Sequence, residues 1–137
     1  MARYLFGYNQ KIHLMKELTK AEEQVMQILW ELKSAFVKDI LERFPQPRPA
    51  ITTVYTIVRV LEEKGFVGHR VYGKAHEYYP LVEKPAYTRQ MMSGIMNKYF
   101  GNSLHQMVSF FSSHKDLSVS ELEEIRKLID EEIKKQQ

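Results

Sequence analysis

The 137-residue chain contains no cysteine. That absence removes disulfides, thiolate metal ligands and a cysteine nucleophile together, and it fits a cytoplasmic protein. There is also no basic start followed by an apolar stretch and a small-residue cleavage site, and no apolar run near the ~20 residues that cross a bilayer, so no membrane insertion is expected. A Gly-x-Ser-x-Gly elbow, a Walker loop and a dinucleotide fingerprint are all missing, which leaves hydrolase, nucleotide-binding and dehydrogenase chemistry without residues. The histidines, His13, His69, His76, His105 and His114, include no pair four apart and no His-Glu-x-x-His. Neither a metal nor a cofactor is therefore expected, although His69 and His76 lie where a phosphate contact is conceivable. The adjacent carboxylates Glu22-Glu23 and Glu62-Glu63 point apart along helices and suit solvated faces better than acid and base roles, so the chain does not read as an enzyme.

Charge of one sign is also scarce. The net charge is +3, and residues 1–82 hold 12 Lys/Arg against 9 Asp/Glu while residues 83–137 hold 8 of each. A dedicated polyanion binder often carries more, but the small excess is confined to the first part of the chain. Hydrophobic residues at 44% and charged residues at 27% are globular values, and the length allows one ordinary domain or two small ones.

The most informative stretch runs from Ala50 to Phe66. Val54, Ile57, Val58 and Leu61 recur at helical spacing, and Gly65 marks the stop. Thr52, Tyr55, Thr56 and Arg59 then project from the other side, and hydroxyls, a phenol and one guanidinium are groups that touch base edges, thymine methyls and phosphates. A merely solvated face would more often carry Glu and Lys pairs.

The neighbours supply a context for that helix. Residues 1–18 have no clean period and read as an arm. Met15 could itself be a start codon, which would make residues 1–14 non-native. Thr19-Lys20-Ala21-Glu22 has the form of a capping box, and Ala21, Val25, Ile28, Leu29 and Leu32 continue a helix that Trp30 makes bulkier. Ala35-Phe36 is too short to assign alone. Val37, Ile40, Leu41 and Phe44 predict a shorter second helix, which Pro45, Pro47 and Pro49 end. After the third helix, two β-rich runs within Phe66–Leu81 flank Gly73-Lys74 and predict a hairpin with a basic tip. Three helices and a hairpin over residues 19–82 form a winged helix-turn-helix, in which the third helix enters a major groove while Arg70 and Lys74 reach phosphates.

Residues 83–137 read as helical throughout, so the fold class is mainly α with a small β-hairpin. Tyr87, Met91, Ile95 and Tyr99 make one apolar face and Leu104, Met107, Val108 and Phe111 a second, separated by Gly101-Asn102-Ser103. Ser118-Val119-Ser120-Glu121 caps a last helix with Leu122, Ile125, Leu128, Ile129 and Ile133 on one side and three i,i+4 pairs, Glu123 with Lys127, Asp130 with Lys134 and Glu131 with Lys135, on the other. Three such helices predict a thin bundle that buries little alone. Met92, Met96, Phe100 and Phe110 add to its apolar load, and a homodimer is the common way to cover such a surface.

From Leu18 onward the chain resembles the penicillinase-repressor (BlaI/MecI) family of bacterial winged-helix regulators. The residues that carry the resemblance are Leu18-Thr19-Lys20-Ala21-Glu22 with Val25-Met26 and Leu29-Trp30, Thr52-Thr53-Val54-Tyr55-Thr56 with Leu61 and Lys64-Gly65, Tyr78-Tyr79, and Leu117-Ser118 with Glu121-Leu122. The resemblance implies a cytoplasmic homodimeric repressor of a β-lactam-resistance-type or related stress operon, bound to a double-stranded, pseudo-palindromic operator. Thr52, Thr53, Tyr55, Thr56 and Arg59 match the DNA-contacting helix, but Val60 stands where many relatives carry a second basic residue. In β-lactam-responsive members a membrane sensor metalloprotease triggers cleavage between asparagine and phenylalanine. The matching bond here is Ser109-Phe110, with serine in place of asparagine. The cysteine cluster of the copper-responsive branch has no counterpart. Two other readings rest on the residues alone: a winged-helix protein-interaction module, and a ligand-responsive regulator with a pocket in the C-terminal helices.

Overall fold

A computed structural model describes residues 17–114 and 116–137. Most of the arm, with the question of Met15, lies outside the described residues. Helix α1 spans Lys20–Leu32. Its start is the expected capping box: the Thr19 hydroxyl accepts from the Glu22 amide at 3.2 Å, and Glu22 Oε1 accepts from the Thr19 amide at 2.9 Å. Lys33, at φ 72°, ends it by donating its amide to the Leu29 carbonyl. Strand β1 (Ala35–Phe36) leads directly into α2 (Val37–Arg43), where Asp39 accepts from the Phe36 amide at 3.1 Å. Beyond α2 the guanidinium of Arg48 donates to the carbonyls of Glu42 and Phe44, satisfying acceptors that the proline-rich turn cannot. Helix α3 covers Ile51–Glu63, and Gly65 follows at φ +83°, a conformation that favours glycine.

Strands β2 (Val67–Tyr72) and β3 (Ala75–Pro80) form the hairpin, with Gly73 at φ +61° in its turn. The sheet is antiparallel with order β1-β3-β2. Ala35-Phe36 is thus a third strand, held by pairing Ala35 with Tyr78 and Phe36 with Glu77, a long-range interaction that no local pattern reveals. Inside, Val25, Met26 and Leu29 from α1, Ile40 from α2, Val54, Val58 and Leu61 from α3, and Phe66 and Val67 have essentially no exposed surface. Each of these side chains contributes about 1.5–3 kcal/mol by leaving water.

One expectation is corrected here. Glu22 is buried rather than solvated, because its carboxylate caps α1 and also meets Lys64 Nζ at 2.6 Å. Burial pushes the Glu22 carboxyl up, but hydrogen bonds and charge from Lys64 and Thr19 outweigh it and leave the group below the usual carboxylate range. Lys64 donates also to the Glu17 carbonyl, so the end of α3 is tied to the start of α1.

Helix α4 spans Lys84–Phe100, α5 Leu104–Ser113 and α6 Val119–Gln136. The chain divides into two compact units, the first ending at Met91 and the second comprising Met92–Gln137, so the division falls within α4. Tyr87, on the part of α4 in the first unit, is buried against Trp30 and Phe66 with ring centroids at 5.5 and 6.0 Å. Its hydroxyl donates to Glu23 at 3.0 Å, and Trp30 Nε1 donates to the Val82 carbonyl at 2.8 Å. Burial and the Glu23 carboxylate push the Tyr87 phenol up to about 12.

The second unit is built differently. None of its described residues is buried, in keeping with three helices that bury little by themselves. Contact at the α4–α5 turn comes from Phe100 against Phe110, at 5.8 Å. Gly101 and Asn102, at φ 54° and 60°, make that turn, and Ser103 and Ser118 cap α5 and α6. The three i,i+4 ion pairs expected on α6 are replaced, among the described residues, by Lys135 on Glu132 at 3.3 Å, one residue closer along the helix.

Candidate nucleic-acid interface

Helix α3 buries Val54, Val58 and Leu61 and half-buries Ile57. A helix fixed along that stripe must expose the residues about 100° to 180° away. Thr52, Thr53, Tyr55, Thr56 and Arg59 are all exposed. Tyr55 keeps 42% of its surface, and Arg59 forms no ion pair among the described residues. The Thr56 hydroxyl donates to the Thr52 carbonyl at 3.1 Å. The N-cap residue of α3, Ala50, has no side-chain hydrogen bond to give, and the first turn carries no acidic residue, so α3 itself supplies no negative group to the positive end of its dipole.

The hairpin places its two basic residues unequally. Lys74 is exposed in the turn. Arg70 is exposed too, but Glu77 Oε1 holds its guanidinium at 3.1 Å across the strand pair and the Tyr79 ring lies beneath it, 4.4 Å from centroid to Cζ. Tyr79 in turn needs Gly68 opposite, since a Cβ there would come within 2.9 Å of its ring and hydroxyl. Arg70 is thus already partnered, a feature legible only once the register is known.

The opposite face of the hairpin brings together residues that the sequence left apart. His69 and His76 stack with centroids 4.4 Å apart and planes within 10°, and His69 Nδ1 lies 2.5 Å from Glu62 Oε2 on α3. Tyr78 adjoins both imidazoles. A two-residue turn at Gly73-Lys74 fixes Val71 opposite His76 and His69 opposite Tyr78, so the hairpin assignment itself contained the signal that would have found this cluster.

The residues expected to dimerise divide by exposure. Met91, Met92, Ile95, Tyr99, Leu104, Phe110, Phe111, Leu122 and Ile129 are exposed, and Met96, Phe100, Met107 and Ile125 are half-buried. Ser109 and Phe110 lie inside α5, both exposed. No described helix is long and apolar enough to cross a membrane.

Comparison with known proteins shows the family of the chain. The family model described as penicillinase repressor matches residues 18–131. The chain is 31% identical over 114 residues to the methicillin resistance regulatory protein MecI of Mammaliicoccus sciuri, covering 82% of this chain and 93% of that protein. Identity to MecI of Staphylococcus aureus strain N315 is 30% with the same coverage. The penicillinase repressor of Bacillus licheniformis is 22% identical over 84% of this chain and 91% of its own length. With nearly the whole described chain matched, the protein belongs to the penicillinase-repressor (BlaI/MecI) family of winged-helix, DNA-binding transcriptional repressors, which are not enzymes.

Proposed function

We propose that this chain is a cytoplasmic homodimeric repressor whose first unit occupies one half-site of a pseudo-palindromic operator and whose second unit makes the dimer. The observation that carries the reading is the exposed face of α3, with Thr52, Thr53, Tyr55, Thr56 and an Arg59 that forms no ion pair among the described residues, on a helix whose start has no side-chain cap. Arg59 supplies a base or phosphate contact, Tyr55 and the threonines supply sequence preference, and the first-turn amides suit a phosphate. On the wing, Lys74 is the phosphate contact, while Arg70 must first leave Glu77 or reach a phosphate from within that pair. The unburied apolar faces of the second unit support the dimer, because a two-fold axis covers such a patch with its own copy.

The relatives' names, methicillin resistance regulator and penicillinase repressor, support control of a β-lactam-resistance-type or related stress operon. Release by a membrane sensor metalloprotease at Ser109-Phe110 would require local unwinding of α5 before the bond became a substrate. Fluorescence anisotropy with DNA from the gene's own upstream region, against scrambled DNA of equal length at two salt concentrations, tests the operator reading. Preference for the upstream DNA at both salts is expected. Arg59→Ala should weaken binding about tenfold or more. An Arg59→Ala protein that bound as tightly as the parent would remove Arg59 from the interface.

A further inference from the structure

The stacked histidines have no part in the reading so far. Helix α3 carries Tyr55, Arg59 and Glu62 at i, i+4 and i+7, and one face of the hairpin carries His69, His76 and Tyr78. The two sets meet: Glu62 touches His69, and the Tyr78 phenol, pushed up chiefly by burial, also responds to Glu62, Arg59 and Tyr55. Arg70, Glu77 and Tyr79 occupy the other face of the hairpin, and β1 brings only Ala35 and Phe36. The charges facing the imidazoles are therefore Glu62 and Arg59, with Lys74 at the nearby turn.

The two rings differ in what they can do with a proton. His69 is half-buried and has the Glu62 carboxylate as acceptor for its ring N–H. His76 is exposed, and among the described residues its contacts are with rings alone. A positive charge on His69 has the Glu62 carboxylate to offset it, whereas one on His76 has no carboxylate among its described contacts and would need an approaching anion. His76 stands two residues from the wing-tip Lys74, and its stacking partner His69 meets α3 at Glu62, about one turn on from Arg59. On the proposed reading, a phosphate backbone held by both cations would cross the corner of α3 and the hairpin, where this ring is exposed.

We propose that the His69–His76 stack is a proton-dependent phosphate contact at the corner between α3 and the wing, in which His76 takes a proton from solvent as a DNA phosphate docks on it. The inference rests on the reading of α3 and the wing as the DNA-facing surface. Binding should then tighten as pH falls through the histidine range.

The test uses the full chain and a random-sequence duplex of about 30 base pairs, since a phosphate contact is sequence-independent. Affinity is read by anisotropy across a salt series near pH 5.8 and near pH 8, for the parent and for His76→Gln, an exposed substitution whose melting temperature is checked in parallel. Near pH 5.8 the parent is expected to bind about fivefold to tenfold more tightly than His76→Gln, as one charge-assisted hydrogen bond would give, and to show a log–log salt slope steeper by about 0.9. Near pH 8 the two should coincide. Calorimetry in two buffers of different ionisation enthalpy should find proton uptake by the parent near pH 6.5 and a smaller uptake by the variant. A variant that follows the parent at both pH values overturns the phosphate contact while leaving the DNA-binding surface in place. A parent that binds no duplex at either pH overturns both.

Discussion

Helices α1 to α3 place Val25, Met26, Leu29, Ile40, Val54, Val58 and Leu61 beneath a three-stranded sheet, and each is fully buried within one chain. Along α4 to α6 the same kind of apolar repeat leaves Met92, Ile95, Tyr99, Leu104, Phe110 and Phe111 between 36% and 67% exposed. The periodicity of α5 and α6 is nearly as good as that of α1 and α3, and only that of α4 is weak. A stripe therefore states that a face is fit to be covered, and only the long-range arrangement states whether the covering comes from the same chain. In the first unit it does. In the second, the proposed cover is another copy.

That contrast can be broken in three ways. The largest effect should come from Phe66→Ala, which empties a fully buried site among α3, the sheet and Tyr87. It should cost about 3–5 kcal/mol in denaturant unfolding of the first unit. A loss below about 1 kcal/mol would mean that the core is less self-sufficient than its burial indicates. Phe111→Asp comes next. It should leave the unfolding of the first unit unchanged while weakening the dimer by about 2 kcal/mol or more, the range of interface hot spots, as measured by sedimentation equilibrium. If it instead unfolded the first unit with the dimer intact, the comparison would fail.

The smallest effect tests how the start of α4 is held within the first unit. Tyr87→Phe removes a hydrogen bond to Glu23 and should cost about 0.5–1.5 kcal/mol at neutral pH. Its pH signature is sharper. Because the folded phenol titrates near 12, above its ordinary value of 10.0, its contribution is fully present below pH 10 and is lost as pH rises toward 12. The difference between parent and Tyr87→Phe should shrink over that alkaline window. A difference that stayed constant there would mean that Tyr87 ionises freely in the folded chain.

Much of the first unit was legible because its signals are local. Thr19 and Glu22 sit three apart, the buried stripe of α3 repeats every turn, and Gly65 and Gly73 stand where positive φ is needed. What escaped depends on partners far along the chain. Glu22 reads as solvated until Lys64, 42 residues away, arrives beside it. Ala35-Phe36 becomes a strand only because β3 is there to pair with it. Arg70 has the composition of a phosphate contact, and its engagement with Glu77 and Tyr79 follows from register rather than from residue type. On α6 the charges stand in favourable order, yet the ion pair formed, Lys135 with Glu132, takes the shorter spacing, since exposed pairs at i,i+3 and i,i+4 differ too little for sequence to choose.

The hydroxyl proton of Thr56 is spent inside the helix, on the carbonyl of Thr52. On the proposed reading face this residue consequently has a restricted vocabulary. It can offer a lone pair or a methyl group, but it has no hydrogen left to give without loosening its own helix. The exocyclic amino groups of adenine and cytosine and the methyl of thymine answer that offer, whereas the major-groove edge of guanine, with acceptors alone, does not. If α3 reads bases as proposed, a bond that merely tidies one of its turns would tilt the base preferred at that position against guanine on the strand Thr56 faces.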